Sequence, residues 1–256
     1  MARVVMADDG IAFNGVIAEN GPLGGAETAF VALAEALAAR GHSVEVRNRC
    51  EQALTHKGVR WMPLARGMPQ TCDLYIGSRG HRVIGLVCHA QRRVFWLHNP
   101  AQYLRKPRNV WRLAWYRPTL VVTGAYHAKT VPFWLPRAGC ETIPYGVLDQ
   151  FRGAVPREPP PRRAIFTSSP LRGLDWLLEL WASRIAPAVP QAELHIYAGP
   201  AVYGALGARR ASEMEAVLAR ARAGQPRGAV FRSDRARRAA RGPGGCAGHA
   251  VSRRYR

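Results

Sequence analysis

Short apolar runs alternate with stretches of helical periodicity along the first 150 residues, and that alternation leaves few folds open. Residues 2–7 form an apolar run suited to a buried strand. Ala26, Ala29, Phe30, Leu33 and Leu37 then fall at helix spacing, and Gly41 follows where a helix-ending glycine belongs. Ser43–Val46 reads as the next strand, with further strands expected at 73–77, 93–98 and 119–123. Helices are expected between them at about 81–90, 108–116 and 125–135. Strand–helix alternation of this kind argues for a parallel sheet covered on both faces.

A stretch with Pro156, Pro159, Pro160 and Pro161 breaks the pattern, so residues 151–163 are expected to be a stiff linker. The pattern then restarts. Strands are expected at 164–167, 194–197 and from 229, and helices at 174–185 and 211–223. Residues 232–256 show neither periodicity. They suit a disordered basic tail or the cut or frame-shifted end of a longer gene. The second is favoured, because 164–231 holds only about two and a half strand–helix units. The fold class expected is therefore α/β, with a domain at 1–150 and a partial one at 164–231.

Charge and cysteine content narrow the function classes. The formal net charge is +20, carried by 34 Arg and three Lys against 17 acidic residues. Such a chain invites polyanions. The excess of Arg beside Ala, Gly and Pro reads as the bias of GC-rich coding. The five cysteines are odd in number and widely spaced, which fits idle thiols rather than a disulfide or metal framework. No apolar run approaches the ~20 residues needed to span a bilayer, and the N-terminal run is too short for a signal peptide. A cytoplasmic location is expected, with peripheral membrane contact as an addition.

The first candidate site is the connection from Asp8 to Gly25. It is about three times longer than an ordinary turn in such a sheet, and it ends in two adjacent glycines before a helix. Gly24 and Gly25 let a ligand approach the backbone, and the helix start offers N–H groups to an anion. The sequence is not GxGxxG, which argues against a dinucleotide. A second candidate is Ser168-Ser169-Pro170-Leu171-Arg172-Gly173, a strand-to-helix turn that puts a guanidinium near a helix start. That combination suits a diphosphate, against the ordinary reading of a solvated loop arginine. A lone histidine at a strand end is more often structural, but His98 lies at a carboxyl end and precedes Asn99-Pro100, which leaves the structural and functional readings evenly balanced. The other seven histidines take the structural reading. Trp111, Trp115 and Tyr116 lie among Arg105, Lys106, Arg108, Arg112 and Arg117. Such a cluster docks membranes or carbohydrate, but a solvated helix face with a packed aromatic side is preferred. The seven tryptophans as a set read mostly as core.

Several of these segments together resemble the GT-B glycosyltransferases of family 4. Gly24-Gly25-Ala26-Glu27 and then Arg40-Gly41-His42-Ser43-Val44-Glu45-Val46 look like that family's opening. Trp96-Leu97-His98-Asn99-Pro100 is similar to its strand ending in a histidine. Val121-Val122-Thr123-Gly124-Ala125-Tyr126-His127-Ala128-Lys129 resembles its S-x-x-x-K segment, with Thr123 or Gly124 where serine is usual. Ile143-Pro144-Tyr145-Gly146-Val147 resembles its I-P-N-G-V hinge. Arg172-Gly173 stands where Lys-Gly is usual, and Tyr197-Ala198-Gly199-Pro200 loosely matches its glycine turn.

The resemblance implies two Rossmann-like domains and sugar transfer from a nucleotide-sugar donor, with retention and without metal or other cofactor. It implies catalytic roles for Arg172, on the leaving diphosphate, and His98, on the donor sugar. Donor contacts fall to Gly24, Gly25, Ser168, Ser169, Gly173 and Gly199. The acceptor stays open among carbohydrate, lipid and small molecule, and nucleic acid is not expected. One departure stands out. The family's E-x7-E pair has no counterpart, because no Glu follows Glu215. Two other readings therefore stay open: an inactive shortened product, and a polyanion binder, which lacks RNA-recognition motifs.

Overall fold

The computed structural model describes residues 1–21, 23–147, 162–198, 210–223 and 229–231. Gly199, most of the proline-rich linker, Cys246 and the 232–256 tail lie outside the described residues. The chain forms two compact units, Met1–Gly146 and Val147–Arg256.

Unit 1 is built on an eight-stranded sheet: β1 (Arg3–Asp8), β2 (Ser43–Asn48), β3 (Leu54–His56), β4 (Val59–Pro63), β5 (Thr71–Ser78), β6 (His89–Trp96), β7 (Thr119–Val122) and β8 (Gly139–Thr142). Its order is β3-β4-β2-β1-β5-β6-β7-β8, parallel except for β3 against β4. β1 explains why both faces are covered. Val4 and Met6 enter one core with Phe30, Val44 and Trp61, while Val5 and Ala7 enter the other with Tyr75, Phe95 and Leu113. Each such side chain stabilises the fold by roughly 1.5–3 kcal/mol for the larger residues. Helix α1 (Gly15–Asn20) and helix α2 (Gly25–Ala39) join the first core. Helix α3 (Pro107–Tyr116) joins the second, and helix α4 (Ala125–Lys129) precedes β8.

Four expectations fail for local reasons. Residues 81–90 are not a helix: a 3-10 turn covers His81–Gly85 and β6 already begins at His89. A Cβ on Gly85 would strike the Tyr116 ring, so the bare backbone there serves a close approach of α3. The helix expected to 135 stops at Lys129, ahead of Pro132 and Pro136, which lack the N–H a helix needs. The connection after β1 is not plain loop. Asn14 caps α1 by accepting the Ile17 N–H (2.9 Å), and Phe13 is buried edge-on to Phe30 and Trp61. Finally, four of seven tryptophans are exposed: Trp61, Trp96 and Trp181 are core, whereas Trp111, Trp115, Trp134 and Trp176 are not.

Unit 2 carries the parallel strands β9 (Arg163–Phe166), β10 (Glu193–Ile196) and β11 (Ala229–Phe231), ordered β11-β10-β9. Helix α5 (Leu174–Leu180) runs through a π turn at Trp181–Ile185 into α6 (Ala186–Ala188), where Pro187 and Pro190 end it. Helix α7 spans Ala211–Ala223. Leu174, Trp181, Leu194, Ile196, Val217 and Leu218 form the core.

Candidate functional site

The strand order of unit 1 reverses at one place. From β1 the chain moves outward through β2 and β4, then returns to pair β5 on the other side of β1. Open parallel sheets collect ligands at the carboxyl ends of the strands beside such a reversal. Here those ends are in register: Asp8 pairs Ser78, and Ser78 pairs Trp96. The first residues past each strand therefore meet.

Arg79, one residue past β5, is the centre of the cluster. Its backbone is left-handed (φ 58), a conformation that costs a side-chain-bearing residue about 1–2 kcal/mol. Its N–H donates to the Trp96 carbonyl (3.1 Å), and its carbonyl accepts from the Tyr103 hydroxyl (3.1 Å). The side chain places Nε 3.0 Å from Asp8 and Nη2 2.9 Å from Glu27. Both carboxylates are buried. Burial opposes the charge on Arg79, but the two carboxylates outweigh it and raise its pKa above the usual value. Sequence reasoning missed Arg79, since nothing local ties it to Asp8.

His98 stands beside this cluster. Its Nε2 lies 3.1 Å from the Ser78 hydroxyl and its Nδ1 lies 2.6 Å from the Tyr145 hydroxyl. The Tyr145 ring stacks on it at 8° between planes, and Trp96 tilts against it at 4.7 Å. Burial, helped by Arg79, pushes the His98 pKa down to about 4. The imidazole is therefore neutral at ordinary pH, a hydrogen-bond partner for hydroxyls rather than a cation. Tyr145 is the second residue the sequence reading left without a role. It occupies the place of Asn in the I-P-N-G-V pattern, and burial raises its pKa.

Gly24 and Gly25 open helix α2 at the same end of the sheet. Gly24 is the residue before the first turn, and the Glu27 carboxylate folds back against it, where a Cβ would collide. A Cβ on Gly25 would meet nothing within 4 Å, so open space lies beside the exposed first turn. His127 behaves structurally, as expected: its Nε2–H donates to the Asn99 carbonyl (2.7 Å) while Nδ1 faces the Thr123 hydroxyl (3.1 Å). It pins the turn that follows His98.

In unit 2, Ser168, Ser169, Arg172 and Gly173 lie on the turn between β9 and α5, at the carboxyl end of β9. Ser169 is buried, and its carbonyl accepts the Arg172 N–H (2.9 Å). Gly173 has φ +90, which requires a glycine for an unstrained turn. The Arg172 side chain is exposed, and among the described residues no carboxylate pairs with it. The end of β10 lies alongside, the Tyr197 N–H donating to the Phe166 carbonyl (2.7 Å).

A depression of about 580 Å³, lined by Arg3, Asp73, Cys88 and His89 among others, opens at the amino ends of β1, β5 and β6. It is at the wrong edge of a parallel sheet for the chemistry above. Among the described residues no three His, Cys, Asp or Glu side chains converge as metal ligands would, and no helix is long and apolar enough to cross a membrane.

The sequence matches no protein-family model, and none of the curated protein sequences matches it. Solved structures do resemble it. WaaG, a glycosyltransferase involved in lipopolysaccharide biosynthesis, superposes with a TM-score of 0.52 over 90% of this chain and 70% of its own, at 15% identity. Apo OtsA superposes at 0.54 over 90% and 73%, at 11% identity. Anabaena Alr3699/HepE, solved with UDP-glucose, superposes less well, at 0.49 over 91% and 69%, with 12% identity. At such identities the first two likenesses establish the fold and nothing finer: it is the GT-B fold, built from Rossmann-like parallel sheets.

Proposed function

We propose that this protein is a glycosyltransferase that moves a sugar from a nucleotide-sugar donor to an acceptor, in the manner of the family 4 enzymes it resembles in sequence. Retention and independence of metal belong to the same reading. The observation that carries it is His98: a neutral imidazole past the end of β6, next to the strand at the reversal of the sheet, with both ring nitrogens on hydroxyls. A donor-sugar hydroxyl replaces the half-exposed Tyr145 at Nδ1. With its pKa at about 4, His98 orients that hydroxyl and does not act as a base.

Arg172 supplies the main electrostatic contribution. As the bond from the anomeric carbon to the diphosphate breaks, negative charge grows on the phosphate oxygens. The exposed Arg172 guanidinium, which pairs with no carboxylate among the described residues, meets that charge. Ser168, Ser169, Gly173 and, by sequence, Gly199 border the same group. Gly24 and Gly25 leave room beside the buried Glu27, a setting that suits acceptor or sugar hydroxyls.

A panel of nucleotide sugars tests the reading, with melting temperature and release of nucleoside diphosphate as readouts. At least one donor is expected to raise the melting temperature and to be turned over. Neither effect with any donor would overturn the proposal. Arg172→Ala is expected to slow release by about 10²–10³-fold without lowering the melting temperature of the free protein. Release at the wild-type rate would remove Arg172 from the mechanism.

A further inference from the structure

Between Leu74 and Cys140 the chain contains eleven Lys and Arg residues and no Asp or Glu. Arg79 is held by Asp8 and Glu27, Arg93 by the carbonyls of Ile84 and Val87, and Arg137 by the carbonyls of Pro132, Phe133 and Leu135. The other eight have no carboxylate partner among the described residues. Five of them belong to α3 or its flanks: Arg105, Lys106, Arg108, Arg112 and Arg117. Their field reaches the neighbouring 3-10 turn. Burial lowers the His81 pKa, and Arg108, Arg112 and Arg82 lower it further.

Helix α3 is fixed from beneath. Leu113 and Asn109 are buried, and Tyr116 packs over Gly85 with the Arg93 guanidinium 4.9 Å from its ring centre. At 100° per residue, Arg108, Trp111, Arg112 and Trp115 fall within one arc of about 100°, centred about 150° from Leu113. The expected packed aromatic side is thus absent for the tryptophans. Trp111 is 63% and Trp115 69% exposed, with ring centres 5.4 Å apart.

We propose that the outer face of α3 docks this protein on an anionic lipid bilayer, lying in the interface without crossing it. The proposal goes beyond the glycosyltransferase reading and does not depend on it. Two adjacent tryptophans form an apolar ridge with polar N–H edges, the chemistry of the headgroup boundary. Arginines flanking the ridge meet lipid phosphates while their stems lie along the apolar surface. The 67-residue segment contributes no carboxylate that would repel such a surface; from the other half of the sheet, Asp9 reaches His81. The two rings lean on each other at 44° instead of standing apart as separate platforms for bases, which favours a bilayer over a single-stranded nucleic acid.

The full-length protein is to be sedimented with vesicles of phosphatidylcholine alone and with about one-third phosphatidylglycerol, at roughly physiological salt. The eight arginines of 232–256 attract any polyanion, so the informative variant keeps the net charge: Trp111→Ser with Trp115→Ser. Wild type is expected to bind the anionic vesicles at least about tenfold more tightly than this variant. Brominated acyl chains are expected to quench wild-type tryptophan emission and to quench the variant less. Equal binding by the two proteins, or equal quenching, would overturn the proposal. Protection of the pair from acrylamide by single-stranded RNA but not by vesicles would overturn it in favour of nucleic acid. A second variant, Arg108→Gln with Arg112→Gln, retains both tryptophans. Its binding to anionic vesicles is expected to fall severalfold, and unchanged binding would equally overturn the proposal. Unaltered urea midpoints certify the fold of both variants.

Discussion

The two halves of the unit 1 sheet differ sharply in charge. Residues 1–73, which supply β1–β4 and α2, carry seven Lys and Arg against eight Asp and Glu. Residues 74–140, which supply β6, β7, α3 and most of β5, carry eleven against none. A coding bias would spread arginine over both halves and would not strip carboxylates from one. The whole-chain excess therefore hides a segregation. The boundary runs through the reversal between β1 and β5, where Arg79 from the basic half meets Asp8 and Glu27 from the other.

Breaking that meeting point should cost most. Arg79→Met leaves two buried carboxylates without their cation, and urea unfolding is expected to show a loss of about 3–5 kcal/mol. A loss below about 1 kcal/mol would mean that the halves are not joined electrostatically. His98 comes next. Its pKa falls from 6.5 in the unfolded chain to about 4 in the fold. Between those values the unfolded chain binds a proton that the folded chain refuses, so stability falls as pH drops through this window. The contribution is about 3 kcal/mol, absent above pH 6.5 and complete below pH 4. Comparing His98→Asn with wild type across that range should show a flatter profile for the variant; parallel profiles would refute the burial of a neutral ring.

Gly85→Ala sharpens the comparison at α3. The added methyl meets the Tyr116 ring, and overpacking there is expected to cost about 1–3 kcal/mol by urea unfolding. No change would mean that α3 sits loosely. The smallest effect belongs to Arg108→Gln with Arg112→Gln. The His81 pKa should rise toward 6.5 in an NMR titration, with stability changed by no more than about 0.5 kcal/mol. A fixed His81 pKa would place those arginines away from it.

Parts of this organisation were legible in the residues. The apolar run at β1, the periodic face of α2 and the strand at β7 stood out because their signals are local. The β3–β4 hairpin did not, although Lys57 and Gly58 both have positive φ, as a two-residue hairpin turn requires. Glycine announces such a turn; lysine in its first position conceals it. His98, Gly24 and Gly25 were singled out and lie at the same end of one sheet. Their partners Ser78, Arg79 and Tyr145 were not, for Arg79 and Asp8 are 71 residues apart and no periodicity connects them.

By itself, the sequence determined the parallel α/β class, the strands β1, β2, β5, β6 and β7 with helices α2 and α3, the glycine pair before α2, and the stretch without carboxylates. Those properties follow from side-chain spacing and charge, which are local. Only the tertiary structure decided that β5 returns to β1. That pairing carries Arg79 to the Asp8 and Glu27 carboxylates, sets His98 between two hydroxyls, and turns Trp111 and Trp115 away from the core. The physical reason is that sheet order and register are settled by contacts between distant residues, whose combined burial outweighs any local preference.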